Sequence, residues 1–382
     1  MKPQANPSTP LYDLLIECCR HEPGNAKLEE YAEKIIHWNA FLASAYAHGV
    51  YPLAARSLKT VSSVPEYIKT TLKITNLDIA RRNMAMTSEL LRIMKLLKGH
   101  GIKALAIKGP VLSQIIHGDI AIRQYADIDI LIEQSDLWKA AQLLTKNGLI
   151  FEHDLKFLKN KTLLKIAKDI TLSNEARNIH IELHWKLFDG KIFAKSNLKL
   201  FHESSTHCTI NRISIDTLDH TVNLLFLLAH GSKHMWERME WIVDIDRILR
   251  THSDIDWDLM MNSAEAMGIK PMIDLGLLVV HKMFATVIPK ECITTDVQLI
   301  DNAVETLLSN ILGNKIILAE EEFLRDWRDI GLEEIRNKIL YQKLRRFKLS
   351  THEIYEMNLP TFLSPIYYLF LWKRLFLGKY FP

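Results

Sequence analysis

Long hydrophobic runs are missing from this chain. Its greasiest stretches, Leu224–Ala229 and Ile366–Trp372, fall far short of the ~20 apolar residues that span a bilayer, so no transmembrane segment is expected. The start, Met1 to Pro10, is polar and proline-rich and lacks the apolar core of a signal peptide. Cysteine is scarce: Cys18 and Cys19 are adjacent, Cys208 and Cys292 are distant, and no CxxC occurs. That spacing indicates neither a disulfide framework nor a cysteine zinc site, and free thiols in a reducing cytoplasm are expected. Charge of one sign is scarce too. With 48 Lys+Arg against 45 Asp+Glu the formal net charge is only +3, which demands no large nucleic-acid footprint but leaves a local basic patch open. Internal repeats, low-complexity tracts and the GxxxxGK[ST] phosphate loop are also absent.

What is present is a chain of 382 residues, 48% hydrophobic and 24% charged. That is too long for one ordinary core, so two or three packed units are expected. The patterning predicts an α+β, mostly helical fold, with a small mixed β-sheet flanked by helical units. The predicted division is an N-terminal helical unit over 1–98, an α/β core over 99–215 and a C-terminal helical domain over 216–382. Apolar residues recur at three and four spacing through Tyr31–Ala47 and Ile74–Leu97, and a long helix, continuous or broken, is expected from about Val64 to Gly99.

The pattern then changes. Lys103–Lys108 reads as a strand and Pro110–His117 as a short helix set between Gly109 and Gly118. Asp127–Ile132 reads as a second strand. Ser135 suits the N-cap of a helix over Asp136–Asn147, closed by Gly148. Leu149–Glu152 is a candidate strand, Lys156–Lys168 a lysine-rich connector, and Asp169–Ser173 a further strand before a turn at Asn174 to Asn178. In the next run Ile179, Ile181, Leu183 and Trp185 share one face, while His180, Glu182, His184 and Lys186 share the other. From Thr217 onward helices are expected over Leu218–Lys233, Trp236–Thr251, Trp257–Met267 and Pro271–Val287, with more to the end.

Chemistry concentrates between Ala104 and Ile132. Asp127 and Asp129 are separated by one apolar residue, so on a strand they point the same way, with Cα atoms ~6–7 Å apart. Just upstream, Lys108 and Gly109 precede a helix whose N-terminal N–H groups and partial positive charge suit a phosphate. Acids repel phosphates unless a cation lies between them, so Mg²⁺ or Mn²⁺ is implied. Glu182, on the polar face of the later strand, is the candidate third carboxylate of a two-metal clamp. Arg123 either contacts phosphate or pairs with Asp127 or Asp129.

The strings Gly101–Pro110, Arg123-x-x-x-Asp127-Ile-Asp129-Ile-Leu-Ile and Ile181-Glu182-Leu-His184-Trp185 resemble the bacterial uncharacterised nucleotidyltransferase family of the polymerase-beta-like superfamily. So does the later His230-Gly-Ser-Lys233-His234-x-Trp236-x-Arg238-x-x-Trp241-x-x-Asp244. The likeness runs from about Trp38 to Leu249. It implies a mixed sheet packed by helices, a metal-dependent NTP site, Asp127 and Asp129 as metal ligands, and Glu182 as the third acid. The wider superfamily usually carries Gly-Ser or Gly-Gly before the acids. Here the turn is Lys108-Gly109-Pro110, so the triphosphate grip is expected to run through Lys108 and Arg123.

His184, two residues after Glu182, is expected either to orient that acid, to touch nucleotide or to pack. Lys233 and His234 are candidate nucleotide contacts from the later helix. His230 and His234 have the i, i+4 spacing of a zinc pair but no evident third ligand, so a structural pair or a cleft-lining face is preferred. The run Lys343 to Lys348 and the end Tyr367 to Tyr380 suit amphipathic helices folded on the domain before nucleic-acid or membrane contacts. The expected activity is transfer of an NMP group from an NTP to an unidentified acceptor (small molecule, protein or tRNA), with release of pyrophosphate. A catalytically silent nucleotide- or protein-binding module, a toxin-like tRNA nucleotidyltransferase and a phosphohydrolase using His230 and His234 are the alternatives.

Overall fold

The structure is a computed structural model. It describes residues 10–188 and 198–293, together with Val304, Glu305, Leu307, Leu308, Ile311, Ile354 and Tyr355. The expected contacts of Lys343 to Lys348 and of Tyr367 to Tyr380 lie outside the described residues.

Three- and four-residue apolar spacing becomes helix along both flanks. The N-terminal helices are α1 (Pro10–Cys19), α2 (Asn25–Glu33), α3 (Trp38–Ala47), α4 (Tyr51–Ser57) and α5 (Glu66–Gly99). The helical stretch expected over Tyr31–Ala47 is divided between α2 and α3. The chain breaks after Glu33, leaves Ile36 85% exposed, and thereby turns Trp38 and Phe41 inward. Helix α5 runs unbroken for 34 residues, because neither glycine nor proline interrupts it before its last residue. Its first half buries Ile68 and Leu72 with the terminal helices, and its second half buries Met86, Leu90, Ile93 and Leu97 against the sheet.

The central elements are β1 (Ala104–Ile107), α6 (Gly109–His117), β2 (Asp127–Ile132), α7 (Leu137–Lys146), α8 (Lys161–Ile166), β3 (Asp169–Asn174) and β4 (Ile179–His184). They form a mixed sheet of order β1-β2-β4-β3, in which β2 and β4 are parallel and the outer pairs antiparallel. Ser135 is not the cap of α7. It lies within a 3-10 turn over Gln134–Asp136, and no side chain caps that helix. The candidate strand at 149–152 contributes one bridge, Ile150 to Ser173. The lysine-rich connector is ordered by caps: Asp154 accepts from Lys156 N ahead of a 3-10 turn, and Asn160 accepts from Thr162 N and Leu163 N at the start of α8.

Helix α9 (Leu198–Glu203) leads into a hairpin of β5 (Ser205–Ile210) and β6 (Ile213–Leu218). Asn211 and Arg212 at its turn both have positive φ, 49° and 66°, which matches the right-handed strand twist. The remaining helices are α10 (His220–Lys233), α11 (Met239–Thr251), α12 (Trp257–Met267) and α13 (Lys270–Phe284). Trp236, expected inside α11, precedes it. Met235 and Trp236 take left-handed φ of 55° and 53°, and the indole is fully buried against Gly231 and Gly276, where an added Cβ would stand 2.4 and 2.6 Å from its ring. One hydrophobic cluster joins α1–α4 to α10–α13, and a second lies between the sheet, α5 and α7. No described helix is long and apolar enough to cross a membrane.

Candidate active site

Parallel pairing of β2 and β4 sets Asp127 against His180, Asp129 against Glu182 and Leu131 against His184. Alternation then puts Asp127, Asp129, Glu182 and His184 on one face of the two central strands. Ile128, Ile130, Ile181 and Leu183 anchor the other face in the core beneath the sheet. The acids are thus held by strands that cannot slip a residue without exposing that apolar row.

Asp129 is buried, with 3% of its surface exposed. His184 Nε2 lies 3.0 Å from Asp129 Oδ1 and 3.2 Å from Glu182 Oε2. Lys108 Nζ approaches Asp129 Oδ1 at 3.3 Å. Burial alone would raise the Asp129 carboxyl, but the charge of Lys108 and the His184 contact outweigh it and hold the group well below the usual carboxylate range. Glu182 is also held down, chiefly by its His184 hydrogen bond. Asp127 moves the other way: burial raises it, Asp129 and Glu182 add repulsion, and Lys108 and Arg123 oppose them.

Asp129, Glu182 and His184 offer ligand atoms within 4.8 Å of one another, a donor set able to hold a divalent ion. His184 Nδ1 is buried without a hydrogen bond, although Asp169 Oδ2 stands 3.5 Å away. Asp127 lies one pleat along from this group and is not within it. Lys168 and Asp169, at the start of β3, complete the wall. Asp169 is in register with His184, and Lys168 Nζ reaches Glu182 Oε2 at 3.8 Å. These two were not legible as site residues, because only the antiparallel β3–β4 register brings them in.

Lys108 joins β1 to α6 with φ 54° and ψ −150°, a backbone region that is costly for any residue but glycine. Gly109 follows at φ 45°, and a Cβ there would stand 3.5 Å from the Asp127 carbonyl oxygen. The strain aims the lysine back over the acids, where its ammonium also sits 5.5 Å from the Phe226 ring of α10.

Helix α10 supplies a second wall. His230 and His234 lie with ring centroids 4.7 Å apart, and each ring is 5.4 Å from Trp241. Burial pushes the His230 pKa well below its ordinary value, and Lys108 and His234 push it the same way against Asp129. Neither histidine belongs to a metal-capable group among the described residues. Lys233 ends the same helix and is partly exposed.

Arg123 pairs with Asp244 rather than with Asp127 or Asp129. It is 6% exposed, and its guanidinium forks onto Asp244 of α11, with Nε 3.0 Å from Oδ1 and Nη2 3.0 Å from Oδ2. Glu240 stands 3.9 Å away, and Asn83 of α5 donates to the Arg123 carbonyl at 2.8 Å. The arginine ties the acid-bearing segment to two helices. Sequence spacing could not name a partner 121 positions away.

A search among curated proteins returned no significant match. The β2–β4 acid face, the Lys108 turn and the α10–α11 wall all fall within residues 35–285, which match the family described as uncharacterised nucleotidyltransferase, and the chain belongs to that family.

Proposed function

We propose that the chain is a metal-dependent nucleotidyltransferase that moves an NMP group from an NTP to an acceptor and releases pyrophosphate. The observation that carries this reading is the register that sets Asp129 opposite Glu182, with Lys108 and His184 both on Asp129. Asp127, Asp129 and Glu182 are the residues to hold Mg²⁺ or Mn²⁺, with His184 among the donors. When bound, such an ion neutralises the triphosphate and activates the attacking oxygen.

The chain's own groups do the rest. Lys108 offers a full positive charge to phosphate oxygens, and Gly109 lets a phosphate approach the backbone at the start of α6. His184 orients Asp129 and Glu182 through one nitrogen. The partly buried rings of His230, His234 and Trp241 line the wall made by α10 and α11 and are suited to stack on a base, while Lys233, at the end of α10, is a candidate contact for the phosphates or the acceptor. Arg123 is a positioning residue, acting through the fork that fixes the loop ahead of β2. The acceptor oxygen attacks the α-phosphorus, the bond to the bridging oxygen breaks, and the acceptor proton is released as pyrophosphate leaves. Catalysis then rests on positioning and charge neutralisation. A reducing cytoplasm suits the four free, buried thiols.

The test supplies each α-labelled NTP with Mg²⁺ or Mn²⁺ and candidate acceptors, including tRNA and cell extract. Label transfer by the wild type and not by Asp129→Asn is expected, with chelator abolishing it. Nucleotide binding with no pyrophosphate release under any of these conditions would replace this reading with that of a silent binding module.

A further inference from the structure

Helix α5 carries two apolar stripes. The inner one, with Ile68, Leu72, Met86 and Leu90, is buried in the protein's own cores. The outer one faces solvent: Tyr67 is 64% exposed, Ile74 57%, Leu77 47% and Met84 62%. At about 100° per residue the two stripes lie roughly 170° apart around the helix. Ten large hydrophobic side chains are exposed among the described residues, and four of them fall in this one stripe. Apolar residues exposed singly need no explanation, but a row of them does.

The row has the spacing of a helix-pairing seam. Tyr67, Thr70, Ile74, Leu77, Arg81 and Met84 follow one another by alternating steps of three and four, the repeat that keeps one face turned toward a partner helix. All six are exposed. A helix lying on a domain surface needs only its inner stripe.

We propose that the outer stripe of α5 is a dimer contact, in which α5 of a second copy of the chain packs antiparallel against it.

Self-complementarity and charge select that occupant and that direction. With Ile74 set across from Leu77 of the second copy, the antiparallel run places Tyr67 across from Met84 and Thr70 across from Arg81. Apolar side chains therefore meet apolar side chains, and the arginine meets a threonine. Glu66 of the second copy then stands one turn from that threonine, within reach of the arginine. Both charges are held at the surface. Glu66 is 86% exposed with Lys69 at 3.9 Å, and Arg81 touches Asp78 in an exposed pair at 3.0 Å. Parallel pairing in register would instead set Arg81 against Arg81, a repulsive contact on the seam.

The antiparallel arrangement has its two-fold axis between Ile74 and Leu77, so it closes at two copies. Tyr67 to Met84 covers only ~26 Å of helix, and a contact of that length suits reversible association better than a permanent dimer. It uses none of the residues assigned to the acid face, and it stands whether or not the chain transfers nucleotides.

The test measures the mass of the full chain by sedimentation and light scattering over a wide range of concentration. Wild type is expected to move from one chain mass toward two as concentration rises. Leu77→Lys, which changes an exposed position twice per dimer, is expected to weaken association by about 100-fold or more, with circular dichroism unchanged. Arg81→Glu is expected to weaken it about tenfold, and Arg81→Glu combined with Glu66→Arg to restore it. Recovery in that double variant is specific to the antiparallel register and does not depend on Leu77→Lys folding. A wild type that stays at one chain mass throughout overturns the proposal, whether another part of the chain covers the stripe or a different protein does. Dimerisation left intact in Leu77→Lys, or no recovery in the double variant, overturns it as well.

Discussion

His184 Nε2 lies between two acids, 3.0 Å from Asp129 Oδ1 and 3.2 Å from Glu182 Oε2. One imidazole therefore fixes both carboxylates from adjacent parallel strands. Asp129→Asn removes half of the charge held there and is expected to lower kcat by about 10² or more without unfolding the sheet. Single-turnover assays with labelled NTP, alongside circular dichroism, check this. A variant with unchanged turnover would remove Asp129 from the reaction.

Lys108 combines a needed charge with a costly backbone. Lys108→Ala and Lys108→Gly both delete the ammonium that contacts Asp129, and only the glycine relieves the φ 54°, ψ −150° conformation. Strain of this kind costs about 1–3 kcal/mol, against ~0.5–1 kcal/mol for the added freedom of unfolded glycine. Both variants are expected to lose transfer, with Lys108→Gly the more stable by about 1 kcal/mol. Urea midpoints measure the difference, and equal midpoints would mean that the strain is not stored there.

The Arg123–Asp244 fork joins β2's approach to α11 in a buried setting. Removing one partner leaves an uncompensated buried charge, so Arg123→Ala or Asp244→Ala is expected to cost about 3–5 kcal/mol of stability. Arg123→Lys keeps the charge but not the two-pronged geometry, and should recover only part of the loss. Full stability of Arg123→Lys in chemical denaturation would show that the fork is unimportant.

Glu240 gives the protein a signed pH dependence. Burial lifts its carboxyl from 4.5 to about 7, against the pull of Arg123 and Arg238 and with help from Asp244 and Asp127. Between those values the folded chain binds more protons at this group than the unfolded chain. Its contribution to stability therefore falls as pH rises from about 4.5 through about 7. Urea midpoints at pH 5 and pH 8 are expected to lie closer together in Glu240→Gln than in wild type. An unaltered difference would place the titration elsewhere.

Periodicity along the chain was enough for the helical flanks, the strand carrying Asp127 and Asp129, the Lys108-Gly109 turn before a short helix, and the alternating faces of Ile179–His184. All are consequences of backbone repeat and local turn chemistry within a few residues. The sequence also showed Glu182 and His184 as ionisable groups on one strand face, and its motifs pointed to the matched family.

Tertiary structure alone decided which groups meet. Register between β2 and β4 sets Glu182 beside Asp129, register between β3 and β4 brings in Asp169, and packing across 121 positions sets Arg123 on Asp244. Strand pairing and helix packing are chosen by the total apolar surface buried over the whole chain, and no short window of residues contains that sum.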